Sequence, residues 1–106
     1  IDAFTQWITR NPEHYDVVVT SNMFGDIATD LASILQGGMG MAGSGNIGDD
    51  HAFFEPVHGS SPKYAGMNKV NPIASINSVH MMIDWLGRKS NDEGLLEISN
   101  LKFENI

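Results

Sequence analysis

Cysteine is absent from the 106-residue chain, and Lys and Arg together number only six. Without cysteine, disulfides and thiolate metal ligands are excluded. A bilayer-spanning helix needs about 18 to 20 consecutive apolar residues, and no run approaches that length. Nor does the chain open on basic residues followed by an apolar stretch, so a cytoplasmic setting is expected. The scarce bases are unevenly placed. Arg10 is the only one in the first 62 residues, against eight acids, whereas the last 44 residues hold five of each. The formal net charge of −7 therefore resides in the N-terminal part. Nucleic acids and anionic membranes require a basic face, so neither is expected as a partner. A cation is.

What is present reads as part of an α/β protein. An apolar content of 42% with 18% charged residues is ordinary for a globular chain. The sequence opens at Ile1 and enters a periodic pattern at once, which suggests an excerpt of a longer polypeptide. Ile1, Phe4 and Ile8 recur at helical spacing until Asn11-Pro12, because the residue before proline is pushed out of the α region. The β-branched run over 15–20 predicts a strand buried on both faces. Ser21 and Asn22 offer caps to a helix whose Ile27, Leu31, Ile34 and Leu35 form one stripe, closed by Gly37.

Between residues 37 and 48 six of twelve positions are glycine, which predicts a loop with unusual backbone angles. Phe53–Glu55 suits a short extended piece, and Lys63–Ala65 a brief helical turn. Asn71-Pro72 supplies an N-cap and a first-turn proline for a helix bearing Ile73, Ile76, His80 and Ile83, expected to stop at Gly87. Residues 88–94 read as a polar turn, and residues 95–106 have no clear period.

Three clusters can carry chemistry. Asp26 and Asp30 stand at i, i+4 on one helical stripe. Such a pair suits a solvated first turn, yet like charges at this spacing repel, and an oxygen-ligated Mg²⁺ or Mn²⁺ would reverse the sign. The glycine stretch contains two formal G-x-G-x-x-G matches, but each follows a helix and opens none, which excludes a Rossmann fingerprint. The segment from His58 to Tyr64 combines small residues, a helical turn and Lys63, which fits either a phosphate site or a plain surface turn. His14 and His51 lie in polar stretches, His80 suits a hydrogen-bonded core or interface position, and the six methionines read as packing.

The strings Asn22-Met23-Phe24-Gly25-Asp26-Ile27-Ala28-Thr29-Asp30, Asn46-Ile47-Gly48-Asp49, and Glu55 through Gly66 running on to Val70-Asn71-Pro72 carry a specific likeness. Together they resemble the β-decarboxylating dehydrogenases, the group containing isocitrate, isopropylmalate, homoisocitrate and tartrate dehydrogenases. The likeness covers about residues 1–87 and implies that group's fold, with non-Rossmann nucleotide binding, only part of which lies within this chain. It implies that residues 1–36 belong to a small dimerising, metal-binding domain and residues 37–106 to a large nucleotide-binding domain.

Residue by residue, the resemblance makes Asp26 and Asp30 ligands of Mg²⁺ or Mn²⁺. A third, Asp2, would be donated to the neighbouring subunit of a homodimer. His58 and Asn71 would meet adenine, Gly59 and Ser61 the adenosine portion, and Glu55 the nicotinamide ribose, with Val70 also among the cofactor-binding residues. Lys63 and Tyr64 resemble the pair that binds the 2′-phosphate of NADP, where NAD-dependent relatives usually carry an acid. The implied reaction is NADP-dependent oxidative decarboxylation of a 2-hydroxy acid, isocitrate to 2-oxoglutarate and CO₂ being favoured. Isopropylmalate, homoisocitrate or tartrate are the alternative substrates, and a non-catalytic regulatory subunit is the alternative of another class. The catalytic lysine and tyrosine are expected upstream of Ile1, leaving this stretch inactive by itself.

Overall fold

A computed structural model describes residues 1–101. Helix α1 (Asp2–Arg10) buries Ile8 and ends at Asn11, whose φ of −139° leaves the helical region before Pro12. Pro12–His14 then makes a single 3₁₀ turn. Phe4 meets Tyr15 edge-on at 5.3 Å, which folds this turn back against α1. Helix α2 (Asn22–Ser33) continues as a 3₁₀ turn over Ile34–Gln36, and Gly37 ends it at φ +110°. Ser21 occupies the N-cap in an extended conformation, but its side chain makes no cap bond; the Asn22 amide donates to Asp26 instead.

The chain next forms a 3₁₀ turn, Met39–Met41, and an antiparallel hairpin of β1 (Gly43–Ile47) and β2 (Ala52–Pro56). Helix α3 (Ile73–Ser90) lies across this hairpin, and α4 (Glu93–Asn100) packs against α3. Packing thus falls into two groups, α1 with α2 and the hairpin with α3 and α4. The Met39–Met41 turn touches both α2 and α3.

The structure departs from the sequence reading in several places. Residues 15–20 form no strand, and Val17 and Val19 are 83% and 93% exposed. A strand is held by ladder bonds to a neighbour, and among the described residues none lies beside this run. Three of the four residues of the predicted α2 stripe, Ile27, Ile34 and Leu35, are likewise exposed and Leu31 is half-buried, while Ala28 and Ser33, outside that stripe, are the buried positions. The glycine stretch is only partly a loop, because β1 begins at Gly43. A side chain at Gly43 would press on Ser78 and Met81 of α3, and one at Gly45 on the Phe54 ring. Here glycine admits a helix and a ring against the strand rather than breaking it.

Gly87 does not stop α3 either. It is buried, and a Cβ there would stand 3.0 Å from Leu96, so its bareness lets α4 approach. The polar turn contracts to Asn91, left-handed at φ +51°, and Asp92. Asp92 caps α4 by accepting from the Gly94 and Leu95 amides at 3.0 and 3.2 Å. Residues 95–100 are therefore helical, and the rest of the unread segment, 102–106, lies outside the described residues.

Two side-chain ties complete this unit. His80 Nε2 lies 2.6 Å from the Ser99 carbonyl, the hydrogen-bonded position expected for it. Lys89 closes the hairpin: its ammonium donates to the Asp49 and Asp50 carbonyls at 2.9 and 2.6 Å and lies over the Trp85 ring.

Candidate functional site

Beyond β2, the Val57 amide donates to the Ala42 carbonyl at 3.1 Å and carries the hairpin pairing one step further. This delivers His58 to the end of the sheet. Ser61 then adopts φ +46°, a left-handed conformation unfavourable for a residue with a Cβ, and turns the chain into the 3₁₀ turn Pro62–Tyr64. Gly66 and Asn68, also at positive φ, bring it round to Asn71. The Asn71 Oδ1 accepts from the Ile73 amide at 3.0 Å and starts α3.

Between these segments lies a half-open hollow of about 430 Å³, within the roughly 300–1,000 Å³ usual for small-molecule sites. His58, Gly59, Ser61, Tyr64, Val70 and Asn71 line it, so six residues singled out in the sequence stand around one space. Gly40, Ser60, Pro72 and Ser75 complete the wall. Of these, Ser75 carried a signal, standing one helical turn beyond Asn71; Gly40 was lost among the other glycines. Nothing lies within 4 Å of where a Gly59 Cβ would be, so a side chain there would point into open space.

Lys63 and Glu55 do not line the cavity. The Lys63 ammonium lies 4.8 Å from the centre of the Tyr64 ring, a cation–π contact that holds it beside the wall. Glu55 is exposed on β2, opposite Ser44. His58 Nδ1 lies 2.8 Å from the Gly59 carbonyl. A carbonyl only accepts, so Nδ1 carries the proton, and in the neutral ring Nε2 is left as an acceptor. An amino group, such as the exocyclic one of adenine, matches that lone pair. A lined hollow with an acceptor ring, small residues and a flanking cation therefore fits an adenosine phosphate.

The carboxylates of α2 are arranged for a different ligand. Asp26 and Asp30 are both exposed one turn apart, and Asp26 Oδ2 accepts from Asn22 Nδ2 at 3.2 Å. The donor set is oxygen only, as a hard divalent cation requires. Asp2 heads α1, with Oδ1 accepting from the Ala3 amide at 2.6 Å. Among the described residues no three Asp, Glu or His side chains of one chain converge on a point, so within a single copy the acidic pair offers two carboxylates only.

Comparison with known proteins adds a family. The model of the isocitrate/isopropylmalate dehydrogenase family matches residues 1–97. A homoisocitrate dehydrogenase from Methanocaldococcus jannaschii is 50% identical over 97 residues, 92% of this chain and 28% of that protein. A 3-isopropylmalate dehydrogenase from Chlorobaculum tepidum is 49% identical over 84 residues, 79% of this chain and 24% of its own length. The crystal structure of isocitrate dehydrogenase from Methylococcus capsulatus superimposes with a TM-score of 0.76 at 45% identity, covering 81% of this chain and 25% of that one. The chain thus spans about a quarter of the length of the relatives it matches. With motifs, fold and family model in agreement over nearly its whole length, the chain belongs to the isocitrate/isopropylmalate dehydrogenases, a family of oxidative decarboxylases.

Proposed function

We propose that this chain supplies the nucleotide site and part of the metal site of an NADP-dependent dehydrogenase that oxidises and decarboxylates a 2-hydroxy acid. One observation carries the reading: the cavity walled by His58, Gly59, Ser61, Tyr64, Val70 and Asn71, with the Lys63 ammonium resting on the Tyr64 ring. In this reading the His58 ring accepts from adenine through Nε2, and the open face at Gly59 leaves room for the adenosine. Glu55, one strand position beyond the hairpin centre, faces the nicotinamide ribose. Lys63 pairs with the 2′-phosphate, which a carboxylate at this position would repel. Residues 37–106 then form part of the nucleotide-binding domain and residues 1–36 part of the dimerising, metal-binding one.

Asp26 and Asp30 hold Mg²⁺ or Mn²⁺ from α2, and Asp2 serves the site of a second copy in a homodimer. NADP, when bound, supplies the hydride acceptor, and the divalent ion supplies a Lewis acid for the hydroxyl oxygen and for the enolate left by decarboxylation. The relatives are named for homoisocitrate, 3-isopropylmalate and isocitrate, which share the 2-hydroxy acid and differ in the rest of the molecule. Isocitrate is the substrate we favour, because the Lys63–Tyr64 pair resembles that of NADP-dependent isocitrate dehydrogenases.

The test is turnover by the full-length enzyme with Mn²⁺, offering each 2-hydroxy acid with NADP and with NAD. Isocitrate-dependent NADP reduction is expected. Reduction with isopropylmalate or homoisocitrate alone moves the substrate, and nucleotide binding without turnover of any acid supports a regulatory subunit instead.

A further inference from the structure

Asn77 projects from the first turns of α3 toward the glycine-rich stretch and is half-buried there. Its Nδ2 donates to the Met41 carbonyl at 2.7 Å, across 36 positions of sequence. The Met41 sulfur in turn accepts from Asn71 Nδ2 at 3.3 Å. Asn71 Oδ1 is already committed to the Ile73 amide, so the two bonds fix which end of the Asn71 amide faces which way. Met41 thus stands between two residues of the cavity wall: Gly40, its neighbour in sequence, and Asn71, its hydrogen-bond partner.

The backbone leading into this wall turns at two glycines and is tied by its own amides, Gly38 to the Ser33 carbonyl at 2.8 Å and Met41 to the Gly38 carbonyl at 3.0 Å. Gly37 and Gly38 both take positive φ, +110° and +96°, and nothing lies within 4 Å of a Cβ built at Gly38. Glycine pairs of this kind allow many chain directions, so the place of Gly40 depends on what grips the segment after them. An apolar side chain at position 77 would pack against the same surface but would grip nothing. The amide bond to Met41 does.

We propose that Asn77 and Met41 are a positioning pair for the nucleotide cavity, a role that rests on the nucleotide reading above. Asn77 anchors the Met41 backbone, the Met41 sulfur orients the Asn71 amide, and the wall carrying Gly40 keeps one distance from the wall carrying Asn71. Neither residue touches the nucleotide. In this proposal Met41 adds an orienting role to the packing expected of it.

Asn77→Leu and Met41→Leu, made singly and together in the full-length enzyme, test the pair; Met41→Leu conserves volume and leaves the carbonyl in place. The readouts are the Kd for NADP by calorimetric titration, kcat at saturating nucleotide, and Tm without nucleotide. Each single variant is expected to weaken NADP by about three- to tenfold, the scale of one lost hydrogen bond, with kcat changed by less than about twofold. The double variant is expected to bind no more weakly than Asn77→Leu alone, because both act through the same residue. Unchanged affinity in the single variants, whatever happens to Tm, overturns the positioning role, and fully additive losses overturn the link between the two residues. Failure of the unsubstituted enzyme to bind either NADP or NAD overturns the nucleotide reading instead.

Discussion

Lys63 rests on the face of the Tyr64 ring, a contact that holds its ammonium in place. Its charge stays available to an incoming anion, and its sign alone separates a 2′-phosphate from a 2′-hydroxyl. Lys63→Asp should weaken NADP about ten- to hundredfold, the range for a lost charge-assisted bond, and leave NAD far less affected. Equal losses in nucleotide titrations would contradict the assigned role. At this scale the sequence was most readable where chemistry is carried by unusual neighbours, as in the run from His58 to Tyr64. It was least readable for Met41 and Asn77, whose partners are distant in sequence. No local pattern announces that a thioether will accept a bond from an asparagine thirty positions further on.

Helix pairs show the same division. The start of α3 was evident in Asn71-Pro72, since a cap is a local device, but its end was not. Gly87 is a packing residue, and a glycine that admits a neighbouring helix looks the same in sequence as one that ends its own. Gly87→Val should push α4 away and cost about 1–3 kcal/mol, read as a lower Tm of the full-length protein.

The pair also carries an acid-sensitive tie. Arg88 donates to Asp84 at 2.8 Å, and this bond holds the Asp84 carboxyl below its ordinary value of 3.8, with Ser99 and the charge of His80 adding to it. A depressed carboxyl contributes stability in full above the unfolded value and loses it as pH falls through the folded one. The Tm gap between the native protein and Asp84→Asn should therefore be open near pH 7 and close below about pH 4. A gap independent of pH would exclude this tie. The unformed strand over 15–20 belongs to the element scale too. Its β-branched pattern led to a strand that the structure does not contain, because pairing is a property of two segments and one sequence run states only half of it.

As a whole the described chain is open, with a radius of gyration of 15.6 Å against about 13 Å for a compact chain of this length. Ile8, Ala28, Ala42 and Ala74 are the buried apolar residues, and no large side chain is fully enclosed. So small a core offsets little of the conformational entropy lost on folding. The 106 residues by themselves should bind the dye ANS and melt without a sharp calorimetric transition. A cooperative transition with no dye binding would refute this. The large exposed side chains explain why the family was plain from motifs while much of the packing was not: motifs are contiguous, and a core is assembled from distant parts.

The β1–β2 turn is exposed too, but Lys89 pins it. Two successive carbonyl oxygens, a carboxylate 3.8 Å away and the face of an indole ring surround its ammonium much as ligands surround an alkali-metal ion. This ion is covalently tethered to α3, so it cannot be diluted, exchanged or removed by a chelator. The hairpin that leads to the cavity carries its own cation, supplied by the helix that packs across it.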